Sequence, residues 1–141
     1  MNRRIYIAGA IGNGHTAKPR DMYKNVRYAE TYYKALIESG WTPFCPHLSY
    51  YPWLNFEDDI HWETWLAMDL DYIDSCAALV RLPNKSLGAD LEVKYAEEIN
   101  IPVLYPKDTE DTVRLLEKEF GKPETRAELQ KYISLINDFK K

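Results

Sequence analysis

Cysteine is scarce in this chain. Cys45 and Cys76 are the two among 141 residues, far apart and without C-x-x-C spacing, which excludes a disulfide scaffold and reads as a pair of reduced core residues. No apolar run approaches the roughly 18 residues that mark a membrane-spanning helix. Met1-Asn2-Arg3-Arg4 leads straight into a strand pattern with no signal-peptide core, so a soluble cytoplasmic protein is expected, with no membrane partner. Basic charge is not in excess: 18 Lys and Arg against 22 Asp and Glu give a net charge of −4, with no basic stripe to neutralise the phosphates of a nucleic-acid polymer. His15, His47 and His61 lack metal-ligand spacing, so neither a metal nor a cofactor is expected. No G-x-S-x-G elbow and no G-x-x-x-x-G-K-[ST] loop occurs, which counts against an α/β hydrolase and a P-loop NTPase.

What the chain does have is an alternation of short β-rich runs with amphipathic helical patterns. Ile5-Tyr6-Ile7-Ala8 reads as a strand cut by Gly9, and a helix capped by Asp21 runs to a stop at Gly40. Trp41 to Cys45 reads as a second strand, and the aromatic segment from Pro46 to Asn55 as too proline-broken for a helix. A helix from about Asp58 to Asp74, a strand from Cys76 to Leu82, a helix from Gly88 to Asn100 and a strand from Ile101 to Tyr105 follow. Thr109 or Asp111 opens a helix to Phe120, and Glu124 to Phe139 gives a last one. Parallel neighbours need crossovers, and helices of this length supply them. The expectation is one domain over 1–141, α/β and Rossmann-like (flavodoxin-like), with a parallel sheet of four to five strands, helices on both faces and a C-terminal helical extension at about 109–139.

In such sheets ligands bind beyond the carboxyl ends of the strands, and the unusual residues gather there. Glu92 shares a helical stripe with Ala89, Val93, Ala96 and Ile99, so a carboxylate points inward in a first turn. Asp69 repeats the anomaly on the stripe of Trp62, Leu66 and Ile73, while Asp71 and Asp74 fall off it. Two such carboxylates suggest a divided role, one ionised as nucleophile and one orienting substrate or moving a proton; the structural alternative for Asp69 is a bond to loop backbone. Tyr6 is either core packing or a donor to Glu92. The glycine-rich turn Gly9-Ala10-Ile11-Gly12-Asn13-Gly14 is not a G-x-G-x-x-G fingerprint; it is either a flexible turn or a loop whose amides approach a phosphate or sugar. His47 follows the second strand at the same edge. Tyr50, Tyr51, Trp53, Phe56, Trp62 and Trp65 form either a satellite hydrophobic cluster or a platform on which a base stacks.

Tyr6-x-x-Gly9, Asp69-Leu70 and Ser86-Leu87-Gly88-x-x-x-Glu92, spread over Ile5 to Pro106, together resemble the nucleoside 2-deoxyribosyltransferase superfamily. It includes deoxyribosyltransferases, 2′-deoxynucleoside 5′-phosphate N-hydrolases and small phage and bacterial proteins. The resemblance implies Glu92 as the nucleophile at C1′, Asp69 as the carboxylate that orients substrate and assists base protonation, and Tyr6 as the tyrosine that positions the nucleophile. It also implies substrate contacts at Gly9, Ala10, Ile11, Gly12, His47, Trp53, Ser86 and Gly88. The implied activity is cleavage of the N-glycosidic bond of a nucleoside or nucleoside 5′-monophosphate, the base going to water or being exchanged. The alternatives are base exchange on free deoxynucleosides, and a silent nucleotide-binding or sensor domain. Ser86 is similar to the serine of the N-hydrolase branch, whereas Ala10 and Gly12 replace a serine and an arginine of that branch's first loop. The implied partners are a small nucleoside or nucleotide and further copies of the chain, as a dimer or higher homo-oligomer.

Overall fold

The computed structural model describes residues 1–12, 18–123 and 130–141. Strand β1 (Arg4–Ala8) is buried over its last four residues. Helix α1 (Pro19–Glu38) buries Val26, Ala29, Tyr32 and Leu36, a stripe spaced at three and four residues. It begins before the expected Asp21 cap because Pro19 needs no N–H partner in a first turn. Its end is a Schellman motif: Gly40 takes φ +94°, its N–H donates to the Ile37 carbonyl, and the Trp41 N–H donates to that of Leu36.

Strand β2 (Thr42–Phe44) is shorter than the expected run because Trp41 completes this cap and Pro46 opens a 3-10 turn (Pro46–Ser49). The turn leads into a single helical turn, α2 (Tyr50–Trp53). The expectation of no helix here is therefore corrected: Pro46 and Pro52 both fall where a short helix leaves its N–H groups unpaired. Helix α3 (Trp62–Ile73) starts later than Asp58, capped by His61, whose Nδ1 accepts from the Glu63 N–H at 3.3 Å. Trp62, placed on the inward stripe by spacing, is half exposed, because the first turn of α3 extends past the sheet edge where nothing covers it.

Strand β3 (Ala78–Arg81), helix α4 (Leu87–Glu98), strand β4 (Val103–Leu104) and helix α5 (Thr109–Phe120) follow, α5 being capped by Asp108, which accepts from the Asp111 N–H at 2.7 Å. The last helix, α6, is described over Gln130–Lys140. Its expected start at Glu124, and the positions of Asn13, Gly14 and His15, lie outside the described residues.

The four strands are parallel in the order β2-β1-β3-β4, a flavodoxin-like sheet at the lower end of the expected strand count. Period-two alternation divides the core. Ile5, Ile7, Val80 and Leu82 pack with Leu36 of α1 and Leu116 of α5, while Tyr6, Ala8 and Leu79 pack with Ile73 of α3 and Ala89, Val93 and Ala96 of α4. Helices thus cover both faces. The chain leaves β1 toward one side and returns across it to β3, so a crevice opens beyond the carboxyl ends of β1 and β3.

Gly9 sits at this crevice for a packing reason. A Cβ there would lie 2.8 Å from Leu82 Cδ1 and 3.0 Å from Leu82 Cβ, and Leu82 is fully buried. Gly9→Ala is expected to destabilise the protein by about 1–3 kcal/mol through overpacking, read as a lowered melting temperature.

Candidate active site

Three elements bring Tyr6, Asp69 and Glu92 together at that edge. Tyr6 points from β1 toward the α3 and α4 face and is fully buried; Glu92 is 5% exposed on α4; Asp69 is half-buried on α3. The Tyr6 hydroxyl donates to Glu92 Oε2. Burial, reinforced by the charges of Glu92 and Asp69, pushes the Tyr6 phenol far above its usual range, so Tyr6 is a permanent donor. Burial also pushes Glu92 up to about 8, with Asp69 adding to the rise and the Tyr6 bond and Arg81 opposing it. Asp69 is pushed up to about 7 by burial, again opposed by Tyr6. Two facing carboxyls held this way keep about one proton between them near neutral pH. One carboxylate able to attack and one carboxylic acid able to donate is the chemistry that this pairing offers.

Asp69 also lines a cleft of ≈ 370 Å³ between β2, the 3-10 turn and α3, walled by Tyr33, Phe44, Leu48, Trp65, Met68 and Tyr72. The rings form a ladder from the carboxylates outward: Tyr6 stacks on Phe44 with centroids 5.6 Å apart, and Phe44 on Tyr72 at 4.0 Å. Trp65 was among the aromatic residues expected to hold a base. Phe44 and Tyr72 were not, although Phe44 lies opposite Tyr6 in the β1–β2 register and Tyr72 lies three residues after Asp69 on the helix. Trp53 is placed elsewhere, against Tyr50 with its Nε1 donating to Asp59 Oδ1 at 3.2 Å, and is not part of the cleft wall.

The turn after β1 is tied down. The Ala10 N–H donates to Asn84 Oδ1 at 3.0 Å, which bridges the crevice to the loop after β3, and the Ile11 carbonyl accepts from Asn25 Nδ2 at 3.0 Å. The Ala10 amide is thereby occupied; Gly12 is half-buried beside it. His47 reaches the same turn but is fully buried, with Nδ1 3.5 Å from Cys45 Sγ and Nε2 lacking a hydrogen-bond partner among the described residues. Burial lowers it to about 4 against the pull of the Gly9 and Ala10 carbonyls, so its ring is neutral at the turn's back.

Ser86 is the N-cap of α4, its Oγ accepting from the Ala89 N–H at 3.1 Å. Its hydroxyl proton is left to donate. A Cβ on Gly88 would meet only Ser86 Oγ, at 3.9 Å, so this glycine leaves open space at the helix N-terminus. Sequence reasoning missed Arg81, read simply as part of a buried strand; its guanidinium is 8% exposed on the sheet face that carries Tyr6. Among the described residues no cluster of three or more His, Cys, Asp or Glu side chains is placed to hold a metal ion, and no helix is long and apolar enough to cross a membrane.

Residues 4–106 match the family described as Domain of unknown function (DUF7768), and the chain belongs to that family. Among solved structures its fold is similar to a 2-deoxyribosyltransferase from the psychrotolerant bacterium Bacillus psychrosaccharolyticus. The TM-score is 0.54 over 72% of this chain and 70% of that one, at 17% sequence identity. No curated protein matches the chain in sequence.

Proposed function

We propose that this single domain cleaves the N-glycosidic bond of a nucleoside or nucleoside 5′-monophosphate through a covalent sugar–Glu92 intermediate. The observation that carries the reading is the buried Tyr6–Glu92 hydrogen bond with Asp69 beside it, set at the mouth of an aromatic cleft. The likeness in fold to a 2-deoxyribosyltransferase supports it.

In the first step a Glu92 carboxylate oxygen attacks C1′ as the C1′–N bond breaks, and the departing base takes its electron pair and a proton from Asp69. That proton has to reside on Asp69 during attack, which the Tyr6 bond to Glu92 favours by stabilising charge on the nucleophile. In the second step water, or another base, adds to C1′ while Asp69 takes the released proton and the Glu92 ester breaks. Configuration at C1′ is retained, as two displacements require. The cleft is apolar enough to exclude competing water, and its rings offer planar faces to the base.

Incubation with a panel of nucleosides and 5′-monophosphates, with and without an acceptor base, tests the reading by following free base and new nucleoside. Release of base supports it; a panel that binds without turnover supports a silent nucleotide-binding domain.

A specific observation favours the second reading, base exchange on free deoxynucleosides. The Ala10 amide is held by Asn84 and the Ser86 oxygen caps α4, so two groups suited to a 5′-phosphate already have partners. Ser86→Ala separates the two. Loss of the cap is expected to cost about 1 kcal/mol of stability. If the substrate is a nucleotide, affinity for the 5′-monophosphate also falls by about tenfold or more with the nucleoside unaffected. Equal effects on both ligands assign the free nucleoside.

A further inference from the structure

Glu92 is faced by Tyr6 from β1, Asp69 from α3 and Arg81 from β3, while Asp90, on its own helix, pairs with Arg81 and Cys76 faces Tyr6. Arg81 is the cation of this group. It occupies the last position of β3, opposite Ala8 in register, on the face covered by α4. Its Nη1 donates to the Leu82 carbonyl at 2.6 Å and its Nη2 to Asp90 Oδ1 at 3.1 Å. These two contacts fix the guanidinium at the start of α4, a poor place for a cation because the helix already presents its positive end there. Burying the charge requires close anionic partners. Asp90 alone is a weak one, since its side chain is 68% exposed and its field is screened by solvent. Glu92, buried on the inner face of the same turn, is the anion that completes the balance.

We propose that Arg81 is a positioning residue whose buried guanidinium is the counter-charge of Glu92, keeping that carboxylate ionised and set against Tyr6, with Asp90 and the Leu82 carbonyl as its anchors. The inference deepens the reading of Glu92 as nucleophile and rests on it for its catalytic meaning. Arg81 does not touch the reacting atoms in this role. It acts through Glu92, by opposing the effect of burial and of Asp69.

The test is a pH titration of the full chain by NMR, with glutamate labelled at the side-chain carboxyl and the Glu92 resonance identified by its loss in Glu92→Gln. In Arg81→Met the Glu92 midpoint is expected to rise by about 1–3 pH units, the usual effect of removing an adjacent opposite charge. The acid limb of kcat/KM should move with it. Arg81→Lys, which keeps the charge, should return the midpoint toward that of the wild type. An unmoved midpoint in folded Arg81→Met overturns the proposal. If Arg81→Met does not fold, Arg81→Gln replaces it, since an amide can still donate to both anchors; equal midpoints in Arg81→Gln and Arg81→Lys then overturn it. A shifted midpoint in a protein that releases base from no nucleoside keeps the counter-charge and removes the glycosidic reading. Base release with an unmoved midpoint does the reverse.

Discussion

Glu92→Gln should abolish base release while leaving the protein folded. The amide keeps the volume and can still accept from Tyr6, but it has no carboxylate to form the ester at C1′. A loss of roughly 10⁴-fold or more in kcat is expected, about 5.5 kcal/mol of transition-state stabilisation. Stability should move the other way. The Glu92 carboxyl holds its proton more tightly in the folded chain, titrating near 8 instead of its ordinary 4.5, so its burial weakens the fold progressively as pH rises from about 4.5 to 8. Glutamine removes that penalty. The melting temperature of Glu92→Gln should therefore exceed that of the wild type by more at pH 8.5 than at pH 5. Unfolding scans at the two pH values, run beside a base-release assay, check both halves. A variant that is inactive because it is unfolded, or one that keeps near wild-type turnover, removes Glu92 from the nucleophile's role.

Asp69→Asn should slow the chemical step by roughly 10²–10³-fold, within the range that a general acid contributes, with a smaller change in KM. The expectation follows from its position on the cleft wall beside the two buried partners: it handles the proton of the departing base and adds little to ground-state binding. There is also a pH signature. The negative charge of Asp69 raises Glu92, so its removal should shift the acid limb of the remaining activity to lower pH. A substrate whose base leaves readily without protonation should be cleaved by Asp69→Asn almost as fast as by the wild type. An unchanged rate on ordinary substrates, joined to a lowered melting temperature, would make Asp69 a purely structural residue.

The periodicities that mark one element at a time were readable in the sequence, and they reach far into the site. Strict alternation sends Tyr6 to one face of β1, and the three-and-four spacing of Ala89, Glu92, Val93 and Ala96 sends a carboxylate inward; the structure buries all of these on the same sheet face. The strand order followed from the helical crossovers. Depth and partnership were not readable, because they depend on which elements meet. His47 was expected to face a ligand, yet β2 and the 3-10 turn carry it behind the Gly9–Ala10 turn. Trp53 belongs to a helical turn whose existence the prolines concealed. Phe44 and Tyr72 come from different elements and stack only in the folded chain. Arg81 looked like one residue of a buried run. Its role emerges only when α4 brings Asp90 and Glu92 over the end of β3.

Trapping the sugar on the enzyme tests the proposed chemistry most directly. A 2-fluoro-arabinosyl nucleoside or nucleotide destabilises the oxocarbenium-like transition state through its fluorine; an activated leaving base keeps the first step passable, so the slow second step lets the adduct accumulate. Intact-protein mass spectrometry followed by peptide mapping should show one added fluorosugar on the peptide that contains Glu92, and none in Glu92→Gln. A competent substrate turned over with inverted configuration, or a sugar attached to any other residue, would contradict covalent glycosyl transfer through Glu92.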